Sequence, residues 1–314
     1  MQAPNSCPPF LTPTSEHFRQ FGARNLIERW QMPELSEQFA LRIGGLVQRE
    51  LTIALAELEN DAAQMRVVKT MVCAFGLTGT AIWTGVPLRV LLERAGVDRT
   101  GAVRARFFGY DGFENNLKLS TIYESTAPFE PLIAFRMYDE RLTYEHGFPF
   151  RLLLADRYGY KNIKWLDRIE LTEKDEPTGH YQERGYSDAG LIEPQVTTEG
   201  LRLNETLPVG AWELCGFAVS GYAGIGSVGV SVDGAEPKPA QLSDLTQLAD
   251  TDPVLASALR RQQLAAGPTG VTAIWSAWRY RLEVRSGEQR VLIRARDNAG
   301  HQADAAELRI RGQA

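Results

Sequence analysis

From Phe39 onward apolar and polar residues alternate through Leu41 and Ile43, the alternation breaks at Gly44-Gly45, and it resumes in LTIALAEL. That pattern predicts a strand, a turn, a second strand and a short helix. The β-rich run VVKTMVC then carries Cys73 to a strand end, where the glycine-containing stretch AFGLTGTAIWTG reads as a loop. Leucine and valine recur at helical spacing from Val86 to Ala95 and stop at Gly96, which predicts a helix closed by a glycine. Further on, VRARFFGYDGF predicts a strand running into a turn at Asp111-Gly112. HGFPFRLLLADRYGYKNIKWLDRIELT predicts two strands joined by a polar, tyrosine-rich loop, with both strand ends on one cleft. The lead-in from Leu11 to Pro33 is polar with scattered aromatics, and Thr14 and Ser15 bring helix-start chemistry to an irregular segment.

Beyond Glu183 the helical character fades. WELCGFAVSGYA, SVGVSVDG, WRYRLEVRS and EQRVLIRARDNAG are short β-like runs separated by glycine-rich turns, which predicts a β-sandwich. The stretch from Ala240 to Ala266 interrupts it as a helical or mobile insertion. The change of pattern between Tyr186 and Thr197 divides the chain into residues 1–190 and 191–314, an α+β domain followed by a sandwich.

Composition narrows the function classes. Hydrophobic residues make up 44% and charged residues 23% of the 314, the balance of a chain that buries a core. A net charge of -5 argues against a surface built to neutralise phosphate backbones, so nucleic acid is not an expected partner. No stretch approaches the roughly 20 apolar residues that span a bilayer. The opening MQAPNSCPPFLTPTSEHF lacks a basic start followed by an apolar run, so the expected location is cytoplasmic, or periplasmic if an export signal has been removed. Three cysteines, Cys7, Cys73 and Cys215, stand far apart, which suggests neither a disulfide framework nor a cysteine zinc site and leaves at least one thiol outside any disulfide.

Cys73 is the thiol that draws a functional reading, because its strand end presents a thiolate to a metal, and thiolates suit soft or high-valent metals. Arg151 can fork two hydrogen bonds to an anion, and Lys164 and the backbone N–H groups around Asn162 can add charge and donors, so this loop suits anion binding. The order Cys73, WTGVPLRVLLERAGV, GYDGF, HGFPFR and YGYKNIKWLDRIEL resembles the sulfite oxidase family of molybdopterin enzymes. The resemblance implies that Cys73 binds molybdenum as the catalytic ligand and that the chain holds a molybdenum-molybdopterin cofactor. It further implies that His146, Arg151, Asn162, Ile163 and Lys164 hold the pterin and its phosphate, that Asp111 makes another cofactor contact, and that Phe18, Arg19 and Gln20 belong to an N-terminal cofactor loop. The segments GFAVSGYAGIGSVGVSVDG, WSAWRYRLEV and VLIRARDNAGHQ resemble the immunoglobulin-like dimerisation domain of the same family, with Trp275 and Trp278 as core residues. A homodimer is implied with it.

The sequence also departs from the family. A tyrosine typical before HGFP is matched by Phe135, the loop after Cys73 lacks an arginine, and Ala273 stands where another arginine is expected. Fewer guanidinium groups weaken the grip on sulfite or nitrate unless Arg19, Arg24, Arg104, Arg106 or Arg157 compensates. The reaction expected from the resemblance is oxygen-atom transfer on a small oxyanion or sulfoxide. Sulfite oxidation is foremost and sulfoxide or other oxyanion reduction the alternative. No C-x-x-C-H haem motif is present, so a separate electron carrier is expected. Outside the enzyme class, the open readings are a non-catalytic cofactor-binding or interaction protein and a secreted β-sandwich adhesion protein. The second leaves the first 190 residues unexplained.

Overall fold

The computed structural model describes residues 10–19, 39–74, 76–124, 127, 129–199, 204–243, 245–250, 252–260, 275–303 and 306–313. The described residues form two compact units, one of residues 11–190 and one of residues 191–260 and 275–313 that also takes in Phe10, a correction to the expected 1–190 and 191–314.

The first unit begins with β1 (Ala40–Gly45), β2 (Leu51–Ala54) and α1 (Leu55–Glu59), the strand, turn, strand and helix that the alternation predicts. Leu41 and Ile43 are the buried positions of that alternation. β3 (Met65–Val72), β4 (Thr78–Pro87) and α2 (Leu88–Ala95) follow. Next come β5 (Arg104–Gly109), β6 (Glu114–Lys118), α3 (Leu119–Tyr123), β7 (Leu132–Met137), β8 (Glu140–Arg141), β9 (Arg151–Leu153) and β10 (Leu166–Thr172). They form two sheets, one ordered β2-β1-β10-β5-β6 and one ordered β3-β4-β7-β8 with β9 added to β7.

AFGLTGTAIWTG is largely strand rather than loop: a short turn after Cys73 leads directly into β4. Its glycines serve close approach, since a Cβ on Gly85 would lie 2.5 Å from the Ile133 carbonyl oxygen of neighbouring β7. The helix predicted from Val86 starts only at Leu88, because Val86 and Pro87 stay in β4 and pair with Ile133 and Leu132. Gly96 caps it in the left-handed region at φ 68°. β6, α3 and β7 carry no clear period in the sequence, since β7 is buried at nearly every position. With so few and such short helices the unit is β-rich, and the α+β expectation is corrected to that extent.

In the second unit β11 (Gln195–Val196), β12 (Glu205–Pro208), β13 (Gly210–Val219), β14 (Ile225–Val232), β15 (Lys238–Pro239) and β16 (Gln241–Ser243) come first. The predicted insertion from Ala240 begins instead with β16, which pairs with β17 (Trp275–Val284), and two short helices, α4 (Leu245–Ala249) and α5 (Pro253–Arg260), follow it in the described part. β17, β18 (Gly287–Asp297) and β19 (Ala306–Gln313) complete two sheets, β11-β13-β17-β16 and β12-β19-β18-β14-β15. Alternate residues of both sheets fill one core, in which Trp278 is fully buried and donates its indole N–H to the Thr197 carbonyl at 3.1 Å.

Candidate functional site

β3 ends at Val72 and the next residue, Cys73, turns the chain: its N–H donates to the Leu77 carbonyl at 2.7 Å and its own carbonyl accepts from Gly76 at 3.0 Å. Cys73 is 7% exposed, forms no disulfide, and lines a cavity of about 480 Å³ in the first unit. Thirteen further residues of that wall come from three segments, Asp111–Phe113, Gly159–Trp165 and His180–Tyr186, each following a strand or bridging two. Phe18, Cys73, Asp111, Arg151, Asn162, Ile163 and Lys164, all expected from the sequence, face this one space. Among the described residues no group of three or more His, Cys, Asp and Glu stands ready to hold a metal ion.

Arg151 opens β9 and is 4% exposed. Its two terminal nitrogens donate to the carbonyls of His146 at 3.0 Å and Asn162 at 3.1 Å, its guanidinium lies 5.0 Å from the Trp83 ring, and its Nε is buried without a partner. Burial alone lowers its pKa to about 9. Lys164 donates to the Glu145 carbonyl at 2.8 Å and lies 4.4 Å from the Trp165 ring centre; burial, then the nearby Arg151, bring its ammonium down to about 7. The Asn162 side chain is committed to the backbone, accepting from Leu154 N–H at 2.7 Å and donating to the Tyr158 carbonyl at 2.8 Å. What it offers the cavity is the shape of its loop rather than its amide. Asp111 accepts from Phe113 N–H at 3.1 Å, and burial raises its pKa.

Two expected residues lie off the cavity lining. His146 is buried but does not line the cavity; it accepts from the Thr143 hydroxyl at 2.7 Å and meets the His17 carbonyl at 3.3 Å. The imidazole on the wall is that of His17, which the sequence reading missed. Burial brings His17 to about 3 and His146 to about 4, so both are neutral near pH 7. Arg19 points away from the cavity lining: its side chain is 50% exposed and reaches the Ser15 carbonyl at 3.2 Å and Glu145 at 3.8 Å. Gln20, Arg24 and Ala273 lie outside the described residues.

None of the described compensating arginines lines the cavity. Arg104 is bound to Asp175 and Asp188, Arg106 to Glu114 and Arg157 to Asp156. The arginine on the wall is Arg184. Phe135 is fully buried on β7, off the lining. The phenols on the wall are Tyr160, Tyr181 and Tyr186, with Tyr160 and Tyr181 stacked at 4.8 Å. Burial, then the neighbouring Cys73, push the Tyr181 phenol up to about 12. Aromatic density in YGYKNIKW and GHYQERGY was the signal available for them.

Residues 29–181 match the family described as oxidoreductase molybdopterin binding domain. The chain is 27% identical over 283 residues to the NADH nitrate reductase of Solanum lycopersicum, a match covering 72% of this chain and 30% of that enzyme. It is 31% identical over 227 residues to the NADPH nitrate reductase of Phytophthora infestans, covering 62% and 24%. The chain thus spans less than a third of the length of these relatives. Its fold is similar to the crystal structure of the sulfane dehydrogenase SoxCD from Paracoccus pantotrophus, with a TM-score of 0.70 at 19% identity over 93% of this chain and 74% of that one.

Proposed function

This chain belongs to the sulfite oxidase family of molybdopterin-dependent oxidoreductases, and from that premise we propose that its cavity holds the cofactor with Cys73 as the protein's ligand to molybdenum. The cofactor is molybdenum-molybdopterin. The residues present fit it: Arg151 carries a buried Nε with no partner on a wall shared with Lys164 and the Cys73 thiol. That shared wall is the observation that carries the reading.

Bound molybdenum supplies two-electron redox chemistry in which an oxygen atom is gained or lost. The chain's own residues bind and orient. Arg151 and Lys164 receive the pterin phosphate, whose charge offsets their burial. Asp111 accepts from a pterin N–H, and the loop carrying Asn162 and Ile163 frames the same end, its backbone fixed by Asn162 N–H on the Gly159 carbonyl and Leu152 N–H on the Ile163 carbonyl. His146 acts at one remove, fixing His17 and with it Phe18 on the wall. Tyr181, a protonated donor at any ordinary pH, and Tyr186 offer hydroxyls to an oxygen of the substrate.

The reaction proposed is oxygen-atom transfer, with sulfite oxidation to sulfate by a separate electron carrier as the leading activity. Reduction of a sulfoxide or another oxyanion is the second reading. The observation favouring it is that Arg19, Arg104, Arg106 and Arg157 are all off the lining, leaving an aromatic wall with Arg184. We also propose that the second unit is an immunoglobulin-like domain that pairs two copies. No helix among the described residues is long and apolar enough to cross a membrane.

The test is molybdenum per chain and visible absorption for the wild type and Cys73→Ser, expressed in a host that makes the cofactor. Near-stoichiometric metal and a thiolate-to-metal band that the variant lacks are expected. Metal-free wild type from that host sinks the reading.

A further inference from the structure

After β10 the chain runs from Glu173 to Gly190 with one short 3-10 turn, Gln182–Arg184, as its regular structure. This segment brings Tyr181, Arg184 and Tyr186 to the cavity. What fixes its position lies underneath, on the side away from the lining.

Arg104 of β5, its side chain 3% exposed, grips the segment near both ends, binding Asp175 at 2.8 Å and Asp188 at 2.9 Å. Lys161, fully buried, donates to Asn115 Oδ1 at 3.1 Å and the Asn116 carbonyl at 2.9 Å, and its ammonium lies 3.5 Å from Asp188. Asn116 ties the two cations together: its amide oxygen accepts from Arg104 and its amide nitrogen donates to the Thr178 carbonyl. The Tyr160 hydroxyl donates to the Ser187 carbonyl at 3.0 Å, and Tyr158 N–H donates to the Gly190 carbonyl at 2.9 Å. A Cβ on Gly190 would lie 2.6 Å from Lys161 Cγ, so the glycine lets the chain pass over the buried side chain.

Two cations removed from water are a costly way to anchor a surface segment, since apolar packing of the same volume holds a loop at least as well. What charge adds is a fixed register. The cofactor end of the cavity has further anchors of its own and meets this network at Tyr158, whose N–H holds Gly190 and whose carbonyl holds Asn162. Asn162 is held by Leu154 N–H and the Tyr158 and Arg157 carbonyls, and Arg151 by His146 and Asn162.

We propose that Lys161, with Arg104 and Asp188, is a positioning residue for the substrate side of the cavity, holding Tyr181 and Tyr186 against the metal site without sharing in the grip on the cofactor. This rests on the functional reading above. Lys161 touches neither substrate nor cofactor and acts through the segment it anchors.

The test compares metal-loaded wild type with Lys161→Met, Asp188→Asn and the conservative Lys161→Arg. Asp188→Asn guards against a Lys161→Met protein that does not fold. Amide exchange is expected to speed up across 174–190 by about tenfold in the Met and Asn variants and to stay within about twofold across 157–165. Molybdenum per chain stays at the wild-type level. The Mo(V) EPR signal shifts as the phenols move. For whichever of sulfite with ferricyanide or dimethyl sulfoxide with reduced viologen the wild type turns over, KM rises by about tenfold with kcat within about twofold. Lys161→Arg restores all of these towards wild type. A loosened segment with unchanged EPR signal and KM makes the network purely structural and overturns the proposal, as does metal loss in step with the loosening. A wild type without molybdenum overturns the functional reading, and the positioning role with it.

Discussion

His146 Nε2 lies 3.3 Å from the backbone carbonyl of His17, and the carbonyl fixes the tautomer: Nε2 carries the proton and donates, while Nδ1 accepts from the Thr143 hydroxyl. The histidine of HGFP therefore supports the lead-in segment from behind. Replacing it by phenylalanine keeps the volume and removes the partner of the His17 carbonyl and one partner of the half-buried Thr143 hydroxyl, at a loss of about 1–3 kcal/mol. Urea unfolding of the cofactor-free protein measures it. Unchanged stability would show that the lead-in is held by its ring contacts alone.

The glycine after it is required by geometry. Gly147 adopts φ 105°, and a Cβ there would lie 3.0 Å from Lys164 Cβ and 3.2 Å from Arg151 Cβ. Gly147→Ala combines backbone strain with pressure on both phosphate-binding side chains, and a loss of about 1–3 kcal/mol is expected. Cofactor retention should fall with it. A thermal melt together with molybdenum analysis checks both.

These two positions show what the sequence discloses and what it hides. Cys73, Arg151 and Lys164, which line one cavity, stand in an ordered run of motifs at the end of β3, at the start of β9 and two residues before β10. His146 was legible as a residue but not as a role, since only the fold decides which of two imidazoles, 5.3 Å apart, faces the cavity. β4 was hidden by its glycines, which signal loops in sequence and close strand approach in space. The tyrosine wall was out of reach of spacing, because Tyr160 and Tyr181 stack across 21 positions through a buried network that no local period encodes. The sandwich was legible from alternation, as β18 shows, with Gln289, Val291, Ile293, Ala295 and Asp297 buried in turn.

In that sandwich Trp278 is fully buried among residues of both sheets. Trp278→Ala removes the largest side chain of that core and the donor to the Thr197 carbonyl, so a loss of about 3–5 kcal/mol is expected. Thermal unfolding of the variant reads it. A loss below about 1 kcal/mol would mean that the core collapses around the gap.

Arg151 sets stability against binding. Its buried guanidinium is opposed by desolvation of several kcal/mol, while its two carbonyl partners each lose about 1–3 kcal/mol when it is removed. Arg151→Met should leave the cofactor-free protein within about 2 kcal/mol of wild type and abolish molybdenum retention. A variant that fails to fold would make Arg151 chiefly structural.

Lys164 gives the site a pH dependence. Burial holds its ammonium near 7 in the folded protein against 10.5 for the free group, so between those values the unfolded chain binds a proton that the folded chain lacks. Its contribution to stability is therefore unfavourable below pH 7 and is relieved as pH rises. Anion binding runs the other way. An anion needs the charged form, so binding above pH 7 must take up a proton, and affinity falls by up to about tenfold per pH unit. Sulfate is the suitable probe because it does not titrate in this range, and the Trp165 ring, 4.4 Å from Lys164 Nζ, reports occupancy by fluorescence. His17 and His146, at about 3 and 4, stay neutral throughout. Lys69 also titrates near 7 but lies off the cavity lining, so Lys164→Met separates the two. For the cofactor-free wild type the dissociation constant should rise by about thirtyfold between about pH 6 and about pH 8.5, and in Lys164→Met sulfate should bind weakly at both. A pH dependence that survives the substitution would assign the proton to Lys69 instead.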